Sequence, residues 1–472
     1  MQIKSNIRKY LTEHKEEILE ALTELIKIPS VRGDAALSMP FGEACAEALS
    51  FTKSLYERNG FECELDGDGG YLLSYYGDGK HTLGLFAHSD VVPAGNDWIY
   101  TKPFEPILKN EFLIGRGAID DKSAIVISLY CAKMLKELNI PFRSRLVMFT
   151  GAAEESGMDD IKNYLKKHIP PDFSLVSDTG FPLYRGNKGV LRLRAKKACF
   201  LGGLKSFAGG GGGTNVAEAT AILNYSEDLY NWLRNKRGDR VEIAVEEGDI
   251  VVRAIGIAKH SALPEGSVNA AVIICELLAE CELLDEKTRA ELDFIGKVAS
   301  DYYGGNAGIS NDDADFGKLT FVNYGIDVSG EGIALDFNIR HGASITQSEI
   351  KSRLESIFGK NGYSRDYLHE AEAHIVDADH PMLRALMDVY IEYTKDVDAK
   401  MRVNAGGTYA RFLPCAVEIG PSIMGRKRPF ELPSGHGQVH EPDECISIDG
   451  LLNAIELTML MLLECDKRQE FE

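Results

Sequence analysis

The chain has 472 residues, of which 44% are hydrophobic and 26% are charged, and its formal net charge is −20. This length exceeds what one compact core usually holds, so we expect two or three domains. The acidic balance argues against nucleic acid and anionic membranes as partners, because both are bound through clustered Lys and Arg.

The sequence favours a cytoplasmic enzyme. No apolar run approaches the roughly 20 residues needed to cross a bilayer, and the densely charged amino terminus lacks the apolar core of a secretory signal. The nine cysteines are scattered and odd in number, which fits a reducing compartment better than a disulfide framework.

Helix and strand patterns alternate through the first part of the chain. Apolar residues at helical spacing predict one helix that ends at "KIPS", before Pro29, and "FGEACAEALSFTKSLYERNG" predicts a second that closes at Gly60. The segments that follow alternate between strand and helix: "TLGLFAH", "SAIVISLYCAKMLKEL", "RLVMFTG", "DIKNYLKKH" and "FSLVSD". The predicted fold class is α/β, with a mainly parallel, mixed sheet flanked by helices.

The pattern changes between about residue 186 and residue 380. "VEIAVEEGDIVVRAIGIAKH" and "GIALDFNIR" alternate apolar and polar residues, as in a half-exposed antiparallel sheet, and "NAAVIICELLAE" predicts a helix. We therefore expect an inserted α+β domain over 186–380, and a discontinuous first domain over 1–185 and 381–472. The glycine run in "FAGGGGGTNVA" fits a dinucleotide fingerprint loosely, so a flexible or close-approach loop is favoured over a phosphate cradle.

Acidic and imidazole side chains follow the predicted strands at their carboxyl ends, where ligands bind in such sheets. His88 and Asp90 lie two apart, so that Asp90 could orient a metal-bound His88. Asp120 and Asp121 directly precede a helix, which steadies negative charge. Each residue alone has an ordinary structural interpretation, but together they form an oxygen and nitrogen set suited to two divalent ions. The full set is His88, Asp120, Glu154, Glu155, Asp178 and His440.

Five segments resemble, in order, the signature blocks of a co-catalytic zinc metallopeptidase family. This family includes carboxypeptidase G, aminoacylase, succinyl-diaminopimelate desuccinylase and the PepV-type, carnosinase-like dipeptidases, to which the chain looks closest. The segments are "AHSDVVPAG", "GRGAIDDK", "GAAEES", "SD" and "VHEPDE".

The resemblance implies a role for each of these residues. One metal would be bound by His88, Asp120 and Asp178, and a second by Asp120, Glu155 and His440. Zinc is the expected metal, with manganese or cobalt as alternatives. Glu154 would be the general base, Asp90 a supporting catalytic residue, and the peptide bond after Asp120 would be cis. His436 is the competitor of His440, and only the following "EPDE" favours the latter.

The inserted domain resembles the lid of this family. "AIGIAKHSALPEGSVNAA" implies that His260 donates to the oxyanion, and Arg340 implies a clamp for the substrate carboxylate. Asn215 matches, more weakly, the lid asparagine that helps this histidine hold the peptide, and "GGTYAR" implies that Gly407 and Thr408 line the substrate site. The large lid resembles the PepV arrangement, in which it replaces a dimer partner, so we expect a monomer.

The expected function is a metal-dependent dipeptidase that acts on unblocked dipeptides, including β-alanyl or D-residue amino ends. The alternative is an N-acyl-amino-acid deacylase or desuccinylase of the same family, and a non-catalytic peptide or metal binder is more remote. A dipeptidase needs a carboxylate to bind the free ammonium of its substrate. The candidates are Asp90, Asp121 and Glu154, and the sequence does not decide between them.

Overall fold

The computed structural model describes residues 2–421, 428 and 430–468. The chain divides into two compact units, one formed by Met1–Gly186 and Ile375–Glu472 and the other by Asn187–His374. The sequence-based division has its boundaries at 185/186 and 380/381. None of the helices in the described ranges combines the length and apolar character that a bilayer crossing demands.

Helices and strands are numbered in chain order. The helices are α1 (Gln2–Glu13), α2 (Lys15–Ile26), α3 (Glu43–Arg58), α4 (Lys122–Glu137), α5 (Asp159–Lys167), α6 (Glu227–Lys236), α7 (Ala270–Ala279), α8 (Glu286–Ser300), α9 (Gln347–Leu354), α10 (Pro381–Thr394) and α11 (Ile448–Arg468). The strands are β1 (Glu62–Asp66), β2 (Tyr71–Tyr76), β3 (Thr82–His88), β4 (Ile107–Lys109), β5 (Phe112–Ile114), β6 (Arg145–Gly151), β7 (Phe173–Val176), β8 (Tyr184–Asn187), β9 (Gly189–Lys197), β10 (Leu204–Gly210), β11 (Glu218–Asn224), β12 (Val241–Glu246), β13 (Asp249–Ile255), β14 (Asp312–Asp313), β15 (Gly317–Lys318), β16 (Thr320–Ser329), β17 (Gly332–His341), β18 (Ser364–Ala371), β19 (His374–Ile375), β20 (Arg402–Asn404), β21 (Ala416–Glu418) and β22 (Cys445–Ser447).

A mixed sheet organises the first unit. Its strand order is β1-β2-β6-β3-β7-β21-β8-β19, with β20 beside β8. The central strands β6, β3, β7 and β21 are parallel to one another. Strand β2 is antiparallel to its neighbour β6, and β1 is antiparallel to β2. The apolar runs of β3 and β6 are buried, as is nearly all of α4, so helices cover this sheet. The predicted fold class is confirmed.

The second unit is built on an antiparallel sheet of eight strands in the order β12-β13-β11-β10-β16-β17-β9-β18. Its inward side chains form a separate hydrophobic core with α7 and α8. The glycine run begins in β10, and a Cβ atom on Gly211 would lie 2.2 Å from the carbonyl oxygen of Asn215. This segment is therefore a close-approach loop.

The prediction of a single amino-terminal helix is wrong. The chain forms α1 and α2, and His14 between them has φ of −106° and ψ of 11°. Nδ1 of His14 lies 2.9 Å from the carbonyl oxygen of Tyr10. Both helices bury their apolar residues in one core, so the apolar spacing continues across the break.

Candidate metal centre

Parallel strands bring the predicted ligands of the first unit to one edge of its sheet. His88 is the last residue of β3, Asp178 follows β7, and the pair Glu154 and Glu155 lies in a 3-10 turn after β6. Asp120 lies shortly before α4. Because β3, β6 and β7 are parallel, their carboxyl ends point to the same edge.

Two imidazoles face the two oxygens of Asp120. Nε2 of His88 lies 3.0 Å from Oδ1 of Asp120 and 3.6 Å from Oδ1 of Asp178. Nε2 of His440 lies 2.9 Å from Oδ2 of Asp120 and 3.0 Å from Oε1 of Glu155. The structure therefore brings together all five residues named as metal ligands, with Asp120 between the two groups.

The donor atoms fit divalent cations. The ligand atoms of His88, Asp120 and Glu155 lie within 4.8 Å of one another, as do those of His88, Glu154 and Asp178. Nε2 of His88 and Oδ1 of Asp120 are buried, and neither has a hydrogen-bond partner of acceptable geometry among the described residues. Imidazole nitrogen and carboxylate oxygen together suit Zn²⁺, Mn²⁺ or Co²⁺.

The electrostatics of the cluster also favour cations. Burial raises the pKa of Glu154 well above its ordinary value, and the charges of Asp178 and Asp120 act in the same direction. Burial and the charge of Asp120 raise the pKa of Glu155 to about 7. Burial raises the pKa of Asp178 to about 6. Burial would lower the pKa of His88, but the charge of Asp178 and the close side-chain contact with Asp120 raise it well above its usual range. Bound cations would relieve this crowding of negative charge.

Asp90 supports the cluster mainly through the backbone. Its carboxylate accepts the N–H groups of Glu154 at 3.2 Å and Glu155 at 3.1 Å. Nδ1 of His88 lies 2.9 Å from the carbonyl oxygen of Asp90 and 3.3 Å from its Oδ1. The shorter orienting contact of His88 is thus to the peptide carbonyl, which leaves Nε2 to face the cluster.

Sequence reasoning missed an ion pair beneath the cluster. The carboxylate of Glu444 accepts the N–H groups of Ile119 at 2.7 Å and Asp120 at 3.0 Å. Nη1 of Arg116 donates to Glu444 at 2.7 Å, and its Nη2 donates to the carbonyl oxygen of His440 at 3.2 Å. The pair thereby holds the backbone of two predicted ligands. Both residues lie in the quoted blocks "GRGAIDDK" and "VHEPDE", which was the available signal.

Asp121 follows Asp120 through a cis peptide bond. Oδ2 of Asp121 accepts the backbone N–H of His88 at 3.1 Å, and its side chain is fully buried. This second aspartate therefore holds the end of β3.

A cavity of about 400 Å³ adjoins the cluster within the first unit. Glu154, Gly407 and Thr408 are among its lining residues. The Thr408 hydroxyl donates to Oε1 of Glu418 at 2.7 Å and accepts the N–H of Ala410 at 3.2 Å. Because the hydroxyl proton of Thr408 is donated to Glu418, this residue can offer its backbone groups to a ligand but not its O–H.

Three predicted residues lie in the second unit. Nδ1 of His260 accepts the N–H of Ala262 at 3.2 Å, and Arg340 lies on β17. The amide of Asn215 donates to the carbonyl oxygens of Ile257 and Val268. It also accepts the N–H of Lys259 at 2.8 Å. The Asn215 side chain therefore holds the backbone beside His260.

Comparison with known proteins identifies the family. Residues 84–464 match the family described as Peptidase family M20/M25/M40, and the chain belongs to this family of peptidases. The Bacillus subtilis (strain 168) protein named "Putative dipeptidase YtjP" is 30% identical over 470 residues, covering 96% of this chain and 98% of its own length. The resemblance found from the signature blocks is confirmed.

Solved structures share the fold over nearly the whole chain. Human carnosine dipeptidase 1 has a TM-score of 0.57 at 14% identity, covering 98% of this chain and 100% of that one. The Bacillus subtilis YXEP protein, described as a dinuclear metal binding peptidase, has a TM-score of 0.52 at 9% identity, covering 96% and 98%.

Proposed function

We propose that the protein is a metal-dependent dipeptidase that hydrolyses the amide bond of unblocked dipeptides, including those with β-alanyl or D-residue amino ends. The observation that carries this proposal is the convergence of His88, Asp120, Glu155, Asp178 and His440, with Glu154 beside them. Membership in a peptidase family and a full-length relative named as a dipeptidase support it.

In this proposal His88, Asp120 and Asp178 would hold one divalent ion, and Asp120, Glu155 and His440 would hold the other. Bound ions would supply Lewis acidity toward a water molecule and the amide carbonyl. Zinc is the proposed metal, and manganese and cobalt suit the same donors.

Glu154 is the proposed general base. It lines the cavity and has only 9% of its surface exposed. Burial and the charge of Asp178 raise its pKa, which favours both accepting and returning a proton. Glu154 would take a proton from water as oxygen adds to the carbonyl carbon. It would then give that proton to the nitrogen as the C–N bond breaks.

The charge of the cavity favours a free amino group on the substrate. Its described lining includes the carboxylates of Asp120, Glu154, Glu155 and Asp178, and among these lining residues there is no Lys or Arg. Three of these carboxylates are the proposed metal ligands, so Glu154 is the lining carboxylate whose charge the metals would not offset, and it suits a substrate ammonium better than the carboxylate of an N-succinyl group. Of the three residues open for the ammonium, Glu154 alone is among the residues that line the cavity.

The second unit would contribute His260 and Arg340. Since Nδ1 of His260 accepts the Ala262 N–H, the neutral ring carries its proton on Nε2 and can donate it to an oxyanion. The planar fork of Arg340 would bind the substrate carboxylate. We infer that the lid acts within its own chain in a monomer, which sedimentation of the metal-loaded protein tests.

A substrate panel tests the function. The metal-loaded chain is incubated with Ala-Ala, β-Ala-His, N-acetyl amino acids and N-succinyl amino acids, and free amine is followed with and without a chelator. We expect chelator-sensitive cleavage of the dipeptides only. Preferential cleavage of the blocked substrates would establish the deacylase, and binding without any turnover would establish a non-catalytic binder.

A further inference from the structure

Asp160 lies outside the metal cluster and is fully buried. Its Oδ2 accepts the backbone N–H groups of Ala152 at 2.7 Å and Ala153 at 2.8 Å. Asp90 accepts the next two N–H groups, those of Glu154 and Glu155. Two buried carboxylates therefore bind four consecutive N–H groups at the point where the chain leaves β6. This arrangement explains how an apolar strand can turn so that two adjacent glutamates serve one site.

Tyr409 connects this turn to another segment that lines the cavity. Its hydroxyl donates to Oδ2 of Asp160 at 2.5 Å, so Oδ2 accepts three hydrogen bonds. Tyr409 directly follows Gly407 and Thr408, which line the cavity. Its ring lies edge-on to that of His88, with 6.4 Å between the ring centroids.

Gly151 makes room for this junction. A Cβ atom at this position would lie 2.0 Å from the Tyr409 hydroxyl and 2.2 Å from Oδ2 of Asp160. Both contacts are far shorter than van der Waals distance, so any other residue would force the two groups apart. The glycine in "GAAEES" is therefore required by Asp160 and Tyr409.

We propose that Asp160 is a positioning residue for Glu154: it holds the turn that presents the base and, through Tyr409, keeps that turn in register with Gly407 and Thr408. This inference rests on the proposed function, because it assigns Glu154 a proton to move. A base acts only within hydrogen-bond reach of that proton, and a displacement of about 1 Å can cost about 100-fold in rate.

Two variants and a matched control test the proposal in the full, metal-loaded chain. Asp160→Asn replaces one acceptor oxygen with an amide donor, and Tyr409→Phe removes only the hydroxyl. The control is Asp159→Asn, because Asp159 is the neighbouring residue, is exposed, and pairs with Lys162 at 3.0 Å. The readouts are kcat, KM, metal content, and amide hydrogen exchange of the segment 150–156 measured without substrate.

We expect Asp160→Asn to speed exchange in 150–156 and to lower kcat by about 100-fold, with smaller changes in KM and unchanged metal content. Tyr409→Phe should act in the same direction to a smaller extent, and Asp159→Asn should match the wild type. The Tyr409 variant also keeps the test informative if Asp160→Asn fails to fold.

Three results would overturn the positioning role. These are unchanged exchange in 150–156, unchanged kcat, or a loss of activity that only follows a loss of metal. The exchange measurement needs no substrate. If the wild type cleaves no dipeptide, the proposed function fails, and the exchange data still decide whether Asp160 holds the turn.

Discussion

Nδ1 of His436 lies 2.8 Å from Oδ2 of Asp443, a carboxylate outside the metal cluster. The same carboxylate accepts the N–H groups of Ile99 and Tyr100. His440 is only four residues further along, yet its Nε2 faces Asp120 and Glu155. The two histidines thus have different partners in one short loop.

Replacing each histidine by Ala distinguishes a ligand from a support. His440→Ala should release the ion proposed between Asp120 and Glu155, because its ring is the one nitrogen donor among the three side chains proposed to hold that ion. His436→Ala should keep the full metal content, since its ring contacts Asp443. Metal analysis after exhaustive dialysis measures both. Equal metal content in the two variants would contradict the assignment of His440.

Replacing Glu154 tests whether this residue is the general base or a metal ligand. We expect Glu154→Gln to reduce kcat by a factor of roughly 10² to 10⁴, the usual contribution of a positioned general base. Metal content should not change, because Glu155 is the proposed ligand of the pair. Glu105→Gln is a suitable control, since Glu105 is an exposed partner of Lys102. Substantial turnover in Glu154→Gln would exclude this residue as the base.

Metal loading should release protons. Burial acts to lower the pKa of His440, but its hydrogen bonds to Asp120 and Glu155 raise that pKa to about 10. The pKa of His88 is likewise raised. These raised pKa values favour an extra proton on both rings at neutral pH in the metal-free protein, and a metal can bind Nε2 only after that proton leaves.

Affinity for the metal should accordingly increase as the pH rises toward about 10. Calorimetric titration with Zn²⁺ in two buffers of different ionisation enthalpy measures the protons released. His440→Ala should release fewer protons than the wild type. Heats that do not depend on the buffer would show that the rings are already neutral.

The strands next to the site could be predicted from sequence because they are buried apolar runs. The predicted "TLGLFAH" and "RLVMFTG" have the bounds of β3 and β6. The helix break at His14 left no such signal, because apolar spacing continues across it.

Side chains that converge at strand ends were also foreseeable from residue type. Asp160, Glu444 and Arg116 were not, because most of their partners are backbone groups, and any residue can offer an N–H or a carbonyl. Glu444, for example, contacts the N–H of Asp120, which is distant in sequence. Only the folded chain shows such contacts.

The role of His260 can be tested apart from the metals. His260→Ala should lower kcat by about 10² to 10³, the range found when one oxyanion donor is removed. His260→Gln should restore part of that loss, because its amide can donate. Metal content should match the wild type in both variants. His369→Ala, which alters an exposed histidine of the same unit, should have no effect. If His260→Ala retains full kcat, His260 does not donate to the oxyanion.

Lowering the pH should reduce the stability of the second unit by protonating Asp313, a residue with 7% of its surface exposed. Burial alone would raise the pKa of this carboxyl, but the N–H groups of Phe316, Ser344 and Asp315 lower it to about 2. Because the folded-state pKa lies below the ordinary aspartate pKa of 3.8, the contribution to stability is complete above about pH 4. It is lost as the pH falls toward about 2.

Asp313→Asn should therefore lower the free energy of unfolding by about 2 kcal/mol at neutral pH. That difference should shrink as the pH falls from about 4. Denaturant unfolding followed by Trp232 fluorescence in a Trp98→Phe background reports on the second unit, since the chain has two tryptophans. The exposed neighbour Asp312 supplies the control Asp312→Asn, which should show no such loss. A deficit for Asp313→Asn that stays constant down to pH 2 would mean that the carboxylate charge is not what stabilises this turn.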